Sequence, residues 1–197
     1  VKMPGNSRIM SQVISIMAAD RVMSVILRNA VKSKVLTEKE SAIFSVETLK
    51  ILLPSAAEEA SEEGGITFRP DPEYVLSTIH KLKTGLLFNI PLLGPNIQSN
   101  AKSKQKVEKI KIALMDFGLG CQLLDDIHDL SKDYVQKRHN FLLSDFAFNK
   151  KTEQVKKLES LNLTNNDIDL KIHQHFMSDV LPVAKRAYEM MFNGLMR

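Results

Sequence analysis

The apolar residues of this chain recur at the period of a helix and nowhere at the period of a strand. From Arg8 to Val31, the residues Ile9, Val13, Ile16, Met17, Met23, Ile26 and Leu27 fall at three- and four-residue steps, the spacing that gathers side chains on one face of a helix. No alternating run of useful length and no internal repeat occurs. A chain so patterned buries its stripes helix against helix, and the expectation is an all-α bundle of long helices.

Local signals mark where those helices start and stop. Thr37 with Glu40 forms a capping box that opens a second helix, and Pro54 is expected to kink or divide it. The stretch EEASEEGG closes that region at two glycines. Asp71 then caps a third helix whose first position is Pro72, where a missing amide costs least, and Gly85 and Pro91 weaken its second half. A long helix is expected from about Ser103 to Tyr134, followed by a polar loop or short helices between Gln136 and Leu163. Thr164 with Asp167 suggests the cap of a last helical region reaching toward Met196, with Pro182 as its break.

At 197 residues, 44% hydrophobic and 25% charged, the chain suits one helical domain over residues 1–197 with a sizeable core. No apolar run approaches the roughly 18 residues of a membrane span. The single cysteine, Cys121, rules out an internal disulfide framework and makes a cytoplasmic setting the default. The net charge of +4 is mild and its basic residues are interleaved with acids, which argues against nucleic acid as a partner and leaves phosphorylated small molecules open. The opening VKMPGNSR carries no methionine at position 1 and nothing of a secretory signal, so a processed chain, or part of a longer one, is expected.

The sharpest local feature is CQLLDDIHDLSKD, which sets Asp125, Asp126, Asp129 and Asp133 within nine positions. On a helix Asp125, Asp129 and Asp133 share one face with Asp126 at its edge, and Leu123, Leu124, Ile127 and Leu130 occupy the other. Like charges so placed repel, and they face either water or a shared cation. Alone, such a stripe is an ordinary solvated face. Here Gln122 and Gly118 lie on the same side, and a mid-helix glycine costs roughly 1 kcal/mol against alanine unless something needs the space. Magnesium takes oxygen ligands and commonly bridges one or two carboxylates to a substrate's phosphates. A second constellation, Lys83-Thr84-Gly85, joins a point charge, a hydroxyl and a helix loosened at glycine, all suited to phosphate.

Other residues read plainly. The nine methionines are core filling; His128 turns away from Asp133 and suits a capping or surface role; His173 and His175 point to nearly opposite sides of a helix.

GLGCQLLDDIHD, residues 118–129, resembles the second aspartate-rich region of the trans-isoprenyl diphosphate synthases, where a glycine, a phenylalanine-glutamine pair and DDxxD occur in this order. PEYVLSTIHKLKTGLLF, residues 72–88, is similar to that family's lysine-threonine helix, and AADRVMS, residues 18–24, to its glycine-aspartate segment, with Ala19 in place of glycine and Asp20 in place. The resemblance implies long antiparallel helices around a central cavity, the isoprenoid synthase type. It implies a magnesium-dependent, head-to-tail condensation of an allylic prenyl diphosphate with isopentenyl diphosphate, carried out by a homodimer. Asp125, Asp126 and Asp129 would serve the metal. Lys83, Thr84 and Gln122 would hold the allylic diphosphate, with Lys137 or Arg138 as the family's basic residue after the motif. Lys83, Thr84 and Asp125 would be the catalytic set. Cys121 stands where the family has phenylalanine, which changes packing and removes no ligand.

The family's first DDxxD occurs nowhere in the chain, which therefore reads as the C-terminal portion of a longer synthase. Two other readings remain open. One is a noncatalytic subunit that lacks the first motif and modifies a partner synthase. The other is a class I terpene cyclase, because DDIHDLSKD also resembles that group's NDxxSxxxE signature, with Asp125, Asp129 and Asp133 at its ligand positions.

Overall fold

The computed structural model describes residues 7–161, 163–164 and 171–196, with the backbone alone at 7–13 and 16. The described residues are helices and their connections, with no strand, and none of these helices is long and apolar enough to cross a membrane. The chain divides into two compact units, one ending at Glu47 and one beginning at Thr48.

Helix α1 runs Ser7–Lys32. It ends in a turn where Lys34 takes a φ of 59° and the Val35 amide donates to the Ala30 carbonyl at 2.9 Å. Asp20 is exposed on this helix. Helix α2, Glu38–Ser61, opens on the expected box: the Glu40 carboxylate accepts from the Thr37 amide at 2.7 Å, and the Thr37 hydroxyl accepts from the Glu40 amide at 3.2 Å. Of the two outcomes expected of Pro54, division does not occur: it lies inside α2. The cost of a mid-helix proline, about 3 kcal/mol, is small against what a 24-residue helix gains by forming.

In the second unit the Asp71 side chain accepts from the Glu73 amide at 2.9 Å and opens α3, Pro72–Tyr74. The expected third helix is then a run of changing pitch. A π-helical turn, Val75–His80, leads into α4, Lys81–Lys83; Thr84 breaks the run; and a 3₁₀ segment, Gly85–Leu92, precedes α5, Leu93–Gln98. The break falls beside Gly85, and Pro91 keeps the following turns from settling as α-helix.

Helix α6, Ala101–His128, begins where the Asn100 side chain accepts from the Ser103 amide at 3.0 Å. The expected single helix to Tyr134 is two, because Asp129 leaves helical geometry before α7, Leu130–Val135. The stretch after Gln136 resolves into the short helices α8, Phe141–Phe148, and α9, Thr152–Ser160. A 3₁₀ turn, Ile172–Phe176, precedes α10, Met177–Leu195, which contains Pro182 without breaking. The cap proposed from Thr164 and Asp167 falls outside the described residues.

Glycines let α10 run antiparallel along α6. A Cβ on Gly120 would stand 2.7 Å from the Ala187 carbonyl, and one on Gly194 would stand 2.5 Å from the Ala113 carbonyl. Gly118 makes room for the Phe88 ring, which a Cβ would meet at 2.6 Å. The core joins Leu119, Leu123, Ile127 and Leu130 to the apolar side of α8 and to Val180, Val183 and Ala187 of α10. Leu124 is exposed, since the buried stripe follows Leu123, Ile127 and Leu130 and leaves it one position round the helix. The methionines divide: Met115 and Met190 pack on the core, while Met17, Met177 and Met196 are exposed.

Candidate functional site

The lysine-threonine segment and the aspartate ridge meet. At the break after α4 the Thr84 hydroxyl donates to Oε1 of Gln122 at 2.5 Å. The Gln122 amide nitrogen in turn donates to Asp126 Oδ1 at 3.2 Å and to Asp125 Oδ2 at 3.4 Å. Around this bridge lies a cavity of about 190 Å³ lined by Glu59, Lys83 and Gln122, by all four aspartates, and by Lys132, Arg138 and His139. Local spacing placed the acids on one face; chain crossing brought the lysine to them.

The four aspartates differ in what already holds them. Asp126 is 1% exposed and spends both oxygens on protein donors: Oδ2 accepts from the Phe141 amide at 2.6 Å and lies 2.7 Å from His80 Nε2, while Oδ1 faces Gln122. Asp133 is buried, and its Oδ2 accepts from Asn140 Nδ2 at 3.0 Å. Burial pushes its carboxyl up to about 7, with the charges of Asp126 and Asp129 adding to the rise and the Asn140 bond opposing it. Asp129 is paired with Lys132 and accepts from His128 Nδ1 at 3.0 Å. Burial works against its charge, yet these two partners hold it below the ordinary range. Asp125 is the most open, and its one bond to a side chain is the long one from Gln122. Partial burial, then Asp129 and Asp126, raise its pKa.

On the cationic side, Lys83 Nζ lies 3.1 Å from Glu59 Oε1 and 3.2 Å from both oxygens of Glu62, which is itself 1% exposed. Burial opposes the lysine's charge, but Glu62 and Glu59 outweigh it and lift the pKa above its usual value. Of the two basic residues after the motif, Arg138 lines the cavity, 3.4 Å from Glu59 Oε2. Lys137 does not: it takes a φ of 52° as α7 ends, and it lines a second cavity of about 380 Å³ with Ile66, Arg69 and Tyr134. Burial, followed by the charges of Lys83, Arg69 and His80, depresses His139 to about 4.

Glu59, Glu62, His80, His139 and Asn140 were not singled out in the sequence. The i, i+3 spacing of Glu59 and Glu62 was the available signal for a paired acid face where α2 ends and its turn begins. His80 gave none, because its partner lies 46 residues away.

Among the described residues no group of three or more His, Cys, Asp or Glu side chains is arranged to hold a metal ion. The residues fit magnesium in the open manner of a phosphate-bridging ion, which needs one or two carboxylates. Asp125 has free acceptor capacity and a charge that a cation would relieve, with Asp129 next to it. Asp126 is the most firmly held of the four, with Oδ2 shared by His80 and the Phe141 amide and Oδ1 facing Gln122, in a side chain only 1% exposed. Comparison of the chain with protein-family models, with curated proteins and with solved structures finds no match.

Proposed function

We propose that this chain supplies one acidic face and part of the diphosphate grip of a prenyltransferase that joins an allylic prenyl diphosphate to isopentenyl diphosphate. The observation that carries the reading is the shared cavity: Lys83 and the aspartates line it, and Gln122 ties Thr84 to Asp125 and Asp126. An arrangement of acids facing a lysine, a hydroxyl and an arginine suits a diphosphate held between cations and metal-binding carboxylates.

Asp125 would hold magnesium, joined by Asp129 on release of Lys132 or His128; the ion when bound would supply positive charge to the leaving diphosphate. Lys83, Thr84 and Arg138 orient the diphosphate and offset the negative charge that grows as its C–O bond breaks. The bond's electron pair leaves with the diphosphate. The double bond of isopentenyl diphosphate then forms the new C–C bond, and loss of a proton restores an alkene.

Product analysis in the complete protein tests this. With magnesium, isopentenyl diphosphate and farnesyl diphosphate, a longer prenyl product should form and should vanish with EDTA or in Asp125→Ala. Undiminished turnover in Asp125→Ala rejects the reading. A cyclic product formed without isopentenyl diphosphate would support the cyclase alternative. A second reading, a noncatalytic subunit, draws on the fact that Glu59 and Glu62 already pair with the lysine. It expects no turnover by the complete protein alone and stimulation of a partner synthase.

A further inference from the structure

We infer that Asp126 is a positioning residue: through His80 it locks the segment bearing Lys83 and Thr84 onto the aspartate helix, leaving Asp125 as the ligand. The inference rests on the proposed diphosphate-and-magnesium site and assigns a different task within it.

Three parts of the chain converge on the one carboxylate. His80, at the end of the π-helical turn, brings Nε2 to 2.7 Å from Oδ2; Phe141, the first residue of α8, donates its amide to the same oxygen at 2.6 Å; and Gln122, one turn back on α6, donates to Oδ1 at 3.2 Å. A magnesium ligand has to offer an oxygen to the ion at roughly 2.0–2.1 Å, and here Oδ2 is committed to two protein donors and Oδ1 to Gln122, in a side chain that borders the cavity yet is only 1% exposed. Withdrawing Oδ2 would leave the buried Phe141 amide without its acceptor, a change that carries its own penalty.

The joint reaches the lysine-threonine pair directly. The Thr84 amide donates to the His80 carbonyl at 2.8 Å, so fixing His80 fixes where the helix breaks and where Thr84 meets Gln122. The π turn that ends at His80 is a geometry that recurs at functional sites. Asn140 extends the same joint: its Nδ2 donates to the Asp126 carbonyl at 2.7 Å and to Asp133 Oδ2 at 3.0 Å, while its Oδ1 caps α8 through the Leu143 amide. Asp125 takes part in none of these bonds.

Two binding measurements on the complete protein separate a ligand from an anchor. Mn²⁺ binding, read by electron paramagnetic resonance, should weaken at least tenfold in Asp125→Asn and stay within threefold in Asp126→Asn. Inorganic pyrophosphate binding with Mg²⁺, read by calorimetry, should weaken at least tenfold in His80→Leu, with Mn²⁺ affinity held within threefold. His80→Gln, which keeps a donor near the Nε2 position, should restore it. Loss of Mn²⁺ binding in Asp126→Asn equal to that in Asp125→Asn overturns the inference, as does a folded His80→Leu that binds pyrophosphate normally. Unchanged Mn²⁺ binding in Asp125→Asn instead overturns the metal reading beneath it. If His80→Leu does not fold, the Asp126→Asn result decides alone.

Discussion

Lys83 Nζ sits 3.2 Å from both carboxylate oxygens of Glu62, a side chain shut away from solvent in the turn that follows α2. The pair couples the lysine's charge to the fold, and it competes with any phosphate for that charge. Glu62→Gln should therefore cost stability and free the lysine together. Breaking a buried pair costs about 3–5 kcal/mol when nothing replaces the partner. With Glu59 still 3.1 Å away, a loss of roughly 2 kcal/mol in urea denaturation is expected. Pyrophosphate should bind severalfold more tightly. A stability loss with no gain in pyrophosphate affinity would make Lys83 a structural cation only.

Asp125 should behave in the opposite sense. Its neighbours Asp129 and Asp126 repel it, so Asp125→Asn removes an unfavourable charge and should leave the melting temperature unchanged or higher. Turnover in the complete protein should fall at least a hundredfold, matching the loss caused by EDTA. A falling melting temperature would point to a structural task for this side chain.

Asp133 and His139 predict opposing pH slopes. Asp133 is raised from 3.8 to about 7 when folded, so the folded state holds a proton the unfolded chain has lost, and stability falls as pH rises from about 4 to 7. His139 is lowered from 6.5 to about 4, so its contribution is present above pH 6.5 and is lost as pH falls toward 4. Together they flatten the profile. Asp133→Asn should unmask a stability that rises with pH between 4 and 6.5, and His139→Gln one that falls. At pH 8, removal of the buried charge should leave Asp133→Asn more stable than the parent by on the order of 3 kcal/mol. Parallel profiles in urea denaturation for all three proteins would contradict this.

Gly120 should resist substitution more than Gly64. A Cβ at Gly120 meets the Ala187 carbonyl, a backbone atom that cannot swing aside, whereas at Gly64 nothing lies within 4 Å. Overpacking costs typically about 1–3 kcal/mol, against the roughly 1 kcal/mol that alanine gains over glycine in a helix. A net loss of up to about 2 kcal/mol is expected for Gly120→Ala, with Gly64→Ala near neutral. Thermal denaturation of the two variants side by side checks the contrast.

Where the sequence succeeded, the signal was local. The Thr37–Glu40 box and the Asp71 cap each involve residues two or three apart, and the three-and-four spacing of apolar residues from Arg8 to Val31 matches α1. The break at Pro182 and the division at Pro54 do not occur, because one lost hydrogen bond does not outweigh a long helix in its tertiary setting. The pitch changes between Pro72 and Leu92 failed for the converse reason: an α-helix reading cannot show a π turn that depends on contacts elsewhere.

By itself, then, the sequence determined that the chain is helical and that its acids cluster at the end of α6, while the shared cavity for Asp125, Asp129 and Asp133 spans the junction of α6 and α7. Only the tertiary structure decided which acid is open and which is spent. Asp126 finds His80 across 46 residues, and Lys83 finds Glu62 across 21. The free energy of a charge depends on burial and on the partners that folding brings within about 3 Å, and neither is written in the spacing of residues along the chain.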